Sequence, residues 1–169
     1  MSAPPSPSVA ATHARLLLTH PAGLLATGLG SGLLTRAPGT VGSLAALLPW
    51  WLWLRDLPDS GYALVLVAGF ALGVLASRWV IARTGIADPG FVVWDEFIGL
   101  WLALWLLPAG WPWIAAGFAL FRLFDIWKPW PIRWFDRNVH GGLGVMLDDL
   151  VAGAAAFAAV QGARLLLAA

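Results

Sequence analysis

Residues 91–127 read FVVWDEFIGLWLALWLLPAGWPWIAAGFALFRLFDIW, and how this stretch turns decides the fold. It makes either one long membrane crossing or a hairpin of two helices. Pro108 and Pro112 flank Gly110, which is turn chemistry. Trp111 and Trp113 stand at that turn, where aromatic side chains favour a membrane interface. Charge supplies a second test. If 91–107 and 111–127 form a hairpin and 41–54 crosses once, Arg15, Arg36, Arg78, Arg83, Arg122, Lys128, Arg133 and Arg137 share one side. Only Arg55 and Arg164 then lie opposite. A single crossing divides the basic residues equally. The positive-inside rule prefers the hairpin and puts the larger group in the cytoplasm.

Composition agrees with a membrane setting. The 169 residues are 60% hydrophobic and 11% charged, against about 25% charged in soluble domains. There are 12 Trp and no Cys, which excludes disulfides, thiol chemistry and thiolate zinc sites. The net charge of +1 comes with no basic run, so nothing points to nucleic acid. Residues 1–13 read as a disordered tail, since Met1 to Thr12 is rich in Ser, Pro and Ala and lacks the basic start of a signal peptide. Residues 14–169 read as one membrane-embedded domain. Tyr62 to Ala82 is long enough to cross a bilayer, which takes about 20 residues. Val151 to Ala168 closes the chain with small residues suited to close helix packing. Residues 14–34 either lie in the interface or enter the membrane. The expected fold is an all-α polytopic bundle of four to six segments.

Seven of nine acids fall between Asp88 and Asp149: Asp88, Asp95, Glu96, Asp125, Asp136, Asp148 and Asp149. Several sit just inside apolar runs, where an ionised group costs at least a few kcal/mol. The hairpin brings Asp95, Glu96, Arg122 and Asp125 to one face, and Asp148 and Asp149 join them at the start of the last helix. Two arrangements offset the cost: a divalent cation, or a lattice of ion pairs. Oxygen ligands without Cys suit Mg²⁺ or Mn²⁺.

Other features have simpler readings beside functional ones. Asp88-Pro89 has the form of an N-cap followed by Pro at the first helical position. Arg122 and Asp125, three apart, can pair on one helix face. Lys128 precedes Pro129, so the helix ends there. Lys128, Arg133 and Arg137 bind either a phosphate or anionic headgroups. Residues 38–43, PGTVGS, begin a helix whose free N–H groups favour an anion, and Thr40 or Ser43 either caps that helix or touches phosphate. Residues 26–32, ATGLGSG, are neither a Walker sequence nor a dinucleotide fingerprint. His140-Gly141-Gly142-Leu143-Gly144 reads as a flexible joint, with His140 a weak acid–base candidate.

Taken in order, four motifs resemble the phosphatidylglycerophosphatase A family. They are LATGLGSG at 25–32 with PGTVGSL at 38–44, Asp88-Pro89 with WDEFIG at 94–99, FRLFDIWKPWPI at 121–132, and GGLGVMLDDLVAG at 141–153. The resemblance covers about residues 22 to 160. It implies a Mg²⁺-dependent enzyme of the bacterial inner membrane, multi-pass with its site facing the cytoplasm. That enzyme hydrolyses an anionic phospholipid, phosphatidylglycerophosphate, to phosphatidylglycerol and phosphate in phospholipid biosynthesis. On that basis the expected catalytic residues are Asp95, Asp125 and Asp149. The phosphate is expected on Arg122, Lys128, Thr40 and Ser43, and the metal on Glu96, Asp148 and Asp149. Alternatives are another lipid phosphate phosphatase and a small membrane cation transporter, for which no inverted repeat is found. A CDP-alcohol phosphatidyltransferase is disfavoured, because the chain has no Asp-Gly pair.

Overall fold

A computed structural model describes residues 14–34 and 36–167; the expected tail at 1–13 lies outside the described residues. The regular structure among these residues is all helix, with no strand. After a helical turn at 14–19, the helices are α1 (Pro21–Ala26), α2 (Pro38–Leu52), α3 (Asp59–Thr84), α4 (Trp94–Ala103), α5 (Trp111–Trp127), α6 (Ile132–Asn138) and α7 (Gly141–Leu167). Short 3₁₀ turns at Ser31–Leu33 and Leu54–Asp56 bracket α2. Residues 14–34 thus form short helical pieces, none long enough to cross a membrane.

The hairpin expected around Pro108–Pro112 is present, with α4 and α5 as its arms. Its first arm is shorter than the apolar run 91–107 suggests. Helix α4 ends at Ala103, where Trp105 N turns back to the Leu102 carbonyl and Leu106 adopts a left-handed conformation (φ 55°). Carbonyls freed at a helix end need donors. Gln161 of α7 supplies them, its Nε2 reaching the Trp105 and Leu106 carbonyls at 3.3 and 3.0 Å.

Three other expectations are corrected. The last helix begins at Gly141, ten residues before Val151, so 141–144 is helix and not a joint. Glycine serves close approach there, since a Cβ on Gly142 would sit 2.7 Å from the Arg78 backbone nitrogen of α3. Asp88 is not a cap: Asp88-Pro89 lies in a loop whose turn is closed by Val92 N to the Pro89 carbonyl (2.8 Å), and α4 starts at Trp94 with Val93 as its N-cap. Neither Thr40 nor Ser43 caps α2, which starts on Pro38 after Ala37 without a side-chain cap. Lys128 does end α5, as its C-cap in the left-handed region.

Large side chains such as Phe121, Ile98, Leu100 and Trp101 fill the core, small residues mark the close helix contacts, and other large apolar residues face outward. On α3 the inner face carries Gly69, Gly73, Ala76 and Ser77. Its outer face presents Leu64, Val67, Leu72 and Leu75, all more than half exposed. A water-soluble bundle hides such a stripe, whereas close-packed membrane helices put small residues at their contacts. Helices α3 and α7, of 26 and 27 residues, are long and apolar enough to cross a bilayer. Helix α7 is the central element, packing on α3, α4, α5 and α6. Indole N–H groups tie backbones together across the core: Trp94 to the Gly69 carbonyl and Trp101 to the Ala46 carbonyl, both at 2.9 Å.

The closest crossing is between α4 and α7. A Cβ on Gly153 would lie 2.9 Å from the Gly99 carbonyl carbon, and one on Gly99 2.6 Å from the Asp149 carbonyl oxygen. Gly153→Ala is therefore expected to destabilise the fold by about 1–3 kcal/mol. Gly162→Ala, which meets nothing within 4 Å, should leave stability equal or raised. Unfolding in mixed micelles measures both, and equal behaviour of the two variants would contradict this packing.

Candidate active site

The amino ends of α4 and α7 and the carboxyl ends of α3 and α5 meet at one end of the bundle. Between them lies a cavity of about 280 Å³. Asp88, Asp95, Glu96, Asp125, Asp136, Asp148 and Asp149 all line it, with Lys128 and His140. Every acid of the cluster read from the sequence is thus on one cavity wall. Negative charge at the start of α4 is favoured by the helix dipole, but seven carboxylates exceed what one lysine and one nearby arginine neutralise.

Three of the acids converge. Asp95, Glu96 and Asp149 each place a carboxylate oxygen within 4.8 Å of the others. Glu96 and Asp149 are buried, and Glu96 Oε2 has no hydrogen-bond partner. A buried unpaired carboxylate oxygen is costly unless something balances it. Glu96 reaches back to the start of α2, where a Cβ on Gly39 would strike Glu96 Oε1 and approach the Arg122 guanidinium at 3.2 and 3.3 Å. Glycine at 39 keeps that approach open.

The cations are held by different partners. Arg122 Nη1 donates to Asp125 Oδ2 at 2.7 Å and to Ser43 Oγ at 3.3 Å, and Nη2 reaches Thr40 Oγ1 at 3.5 Å. Ser43 in turn donates to the Gly39 carbonyl (2.7 Å). Thr40 and Ser43 therefore act on Arg122, and the expected Arg122–Asp125 pair is present. Lys128 Nζ donates to Asp136 Oδ1 at 2.7 Å and also to Asp148. Burial works against the ammonium charge, but the hydrogen bonds to Asp136 and Asp148 outweigh it and hold Lys128 above the ordinary lysine range.

The adjacent acids divide as helix geometry requires, about 100° apart on α7. Asp149 points to Asp95 and Glu96, while Asp148, expected beside it as a metal ligand, pairs with Lys128. Asp136 carried no assigned role in the sequence reading. It lies eight residues after Lys128 on the next helix, α6, and reaches it across the break between α5 and α6. Residues 26–32 are tied into the fold by their own bonds: buried Thr27 donates to the Gly23 carbonyl (2.8 Å) and accepts from Gly30 N (3.1 Å), and Val93 N bonds the Ala26 carbonyl (2.8 Å). Arg133 and Arg137 do not line the cavity.

Fold and site together define a helical protein with membrane-length helices and a polyacidic, cation-flanked cavity at one end. The profile of the phosphatidylglycerophosphatase A family matches residues 24–164, and the chain belongs to that family. It is 54% identical over 140 residues to phosphatidylglycerophosphatase A of Escherichia coli K12, covering 82% of this chain and 81% of the relative. The Haemophilus influenzae phosphatidylglycerophosphatase A is 43% identical over 139 residues, covering 82% and 85%. A Bacteroides thetaiotaomicron relative with the provisional name phosphatidylinositol-3-phosphatase is 39% identical over 147 residues, covering 83% and 92%. No solved structure matches the chain.

Asp148 has only 13% of its side chain exposed, so Lys128→Met strands a largely buried carboxylate. The expected loss is about 1.5–3 kcal/mol, the size of a hydrogen bond to a charged group. Lys128→Met combined with Asp148→Asn should recover more than half of it. Denaturation of the two single variants and the double variant closes the cycle, and additive losses would show that the pair contributes nothing.

Proposed function

We propose that this chain is a phosphatidylglycerophosphatase, a phosphoric monoester hydrolase that converts phosphatidylglycerophosphate to phosphatidylglycerol and inorganic phosphate. Membership of the family supports the reaction, and the convergence of Asp95, Glu96 and Asp149 beside two cations is the observation that carries it. The lipid preference rests on the names of the Escherichia coli and Haemophilus influenzae relatives.

Mg²⁺ fits this donor set. The three carboxylates are hard oxygen ligands, they outnumber the cations that reach them, and one buried oxygen of Glu96 has no protein partner. Asp95, Glu96 and Asp149 would hold the ion. When bound, such an ion polarises phosphoryl oxygens and lowers the pKa of a coordinated water. The chain's own groups do the rest. Arg122 lies behind the lining residue Asp125 and adds positive charge for the phosphomonoester, while Asp125, Ser43 and Thr40 keep its guanidinium in one orientation. Lys128 supplies the second positive charge, with Asp148 and Asp136 as its positioning partners. Those two partners engage two of the three N–H donors of Lys128, and the third is available to the substrate phosphate.

Phosphate release from phosphatidylglycerophosphate by the detergent-purified chain tests the reading. Release should require Mg²⁺, stop in EDTA, and need no ion gradient, which separates an enzyme from a cation transporter. Glu96→Gln and Asp149→Asn should each lower kcat by about 100-fold or more, as does removal of one transition-state donor elsewhere. Folded protein that releases nothing in Mg²⁺ would sink the phosphatase reading.

The same reading places the chain in the bacterial inner membrane, multi-pass, with the acidic cavity at the cytoplasmic face. Two of the described helices, α3 and α7, are long and apolar enough to cross a bilayer, and the asymmetry of Arg and Lys along the sequence is what supports further crossings and a cytoplasmic cavity. The chain has no native Cys, so single cysteines report topology directly. Ala109→Cys should react with an impermeant maleimide in whole cells, and Arg137→Cys only after lysis. The reverse pattern would invert the orientation.

A further inference from the structure

The sequence offers Arg133 and Arg137 either a phosphate or anionic headgroups, and the acidic cavity does not include them. They lie on α6, the short helix between the end of α5 and the start of α7. Its two sides differ. Ile132 is buried, and Asp136 reaches Lys128 at the cavity, so these two mark the inner side. At 3.6 residues per turn, Arg133, Trp134 and Arg137 fall on the outer flank, and all three are exposed.

The charge on that flank is unanswered. Arg133 donates from Nη2 to the Trp127 carbonyl at 3.3 Å, which ties α6 back to the end of α5. Arg137 has no hydrogen-bond or ion-pair partner among the described residues. Asp136, the one acid of α6, is taken by Lys128 on the inner side. Beside the arginines stands an aromatic surface. Exposed Leu123, Ile126 and Trp127 form a stripe on α5, and Trp130 and Trp134, 84% and 52% accessible, extend it past the helix end. Indoles gathered at the end of an apolar stripe are what a membrane interface favours.

We infer that the outer flank of α6, with Trp127 and Trp130, is a docking surface for the headgroups of anionic phospholipids, separate from the acidic cavity. The indoles fix the flank at headgroup depth, and the two guanidinium groups there meet lipid phosphates with no carboxylate competing. Each juxtamembrane arginine adds attraction to an anionic leaflet. A zwitterionic lipid brings the same phosphodiester with an ammonium or choline beside it, which two unpaired arginines repel. A free phosphate would use the arginines and leave the indoles in water. The inference rests on the membrane placement given under the proposed function and takes nothing from the reaction.

Photocrosslinking in vesicles tests it, with p-benzoylphenylalanine in place of Trp130 and mass spectrometry identifying the captured lipid. The vesicles hold phosphatidylcholine and phosphatidylglycerol with identical acyl chains, and the proposed reaction consumes neither. Capture at 130 should favour phosphatidylglycerol over its share of the bilayer by about fivefold, the size of one arginine's attraction to an anionic surface. The same probe at Leu72, on the outer face of α3, should capture both lipids in proportion to their share. Arg133→Gln combined with Arg137→Gln should bring the preference at 130 to about one. Arg137→Gln alone breaks no contact of the fold and should lower it by itself. Salt near 1 M, where the screening length is about 3 Å, should also lower it, and millimolar inorganic phosphate should not. Lipid captured at 72 but not at 130, proportional capture at 130, or an unchanged preference in Arg137→Gln would overturn the docking surface while the membrane placement stands. Abolition by inorganic phosphate would overturn it in favour of a free-phosphate site. No lipid at either position would remove the membrane placement and the docking surface together. Capture needs no turnover, so failure of the phosphatase reading would leave the result unchanged.

Discussion

Negative charge gathered at the end of an apolar bundle is the constraint on which the rest of the structure depends. Seven carboxylates share one cavity wall, with Lys128 on it and Arg122 beside it. Ionised groups in such a place cost several kcal/mol each unless they are balanced. The protein balances six of them in two ways, and the seventh, Asp88, is exposed. Asp125, Asp136 and Asp148 are paired with cations. Asp95, Glu96 and Asp149 are brought together with an oxygen left unpaired, a donor set suited to a divalent ion. The division separates groups that hold the cations in place from groups that hold a ligand.

Glycine makes that gathering sterically possible. Where α4 crosses α7, Gly99 and Gly153 let the backbones approach until a Cβ on Gly99 would sit 2.6 Å from the Asp149 carbonyl. The same contact sets the separation between Asp149 and the Asp95–Glu96 pair. Gly39 does likewise for α2 against Glu96 and Arg122, and Gly142 for α7 against α3. Packing and chemistry are therefore not independent here: the small residues that let membrane helices adhere also fix the geometry of the acids. Leu64, Val67, Leu72 and Leu75, on the face of α3 away from these contacts, cover the outside.

The amino-acid sequence alone made much of this legible. Pro108, Gly110 and Pro112 marked the hairpin, and the asymmetry of Arg and Lys chose it over a single crossing. Arg122 and Asp125 were readable as a pair because a helix places residues three apart on one face. Lys128 before Pro129 marked the end of α5 by a local steric rule. The acids were readable as a cluster because charge inside apolar runs demands an explanation. Local rules misled where glycine was concerned: residues 140–144 have the composition of a joint, yet helix α7 begins at Gly141, and Asp88-Pro89 has the form of a cap without being one.

What the sequence by itself determined is what depends on neighbours along the chain: helical class, the hairpin turn, helix ends set by proline, and the residue types of the site. Only the tertiary structure decided which adjacent acid faces which way, that Asp136 returns to Lys128, that Thr40 and Ser43 serve Arg122, and that α4 stops at Ala103. The physical reason is range. Turn and capping preferences act over a few residues and leave a trace in composition. The direction of Asp148 against Asp149, or the meeting of α2 with α5, is set by contacts between segments 20 to 80 residues apart, and no periodicity in the chain encodes them.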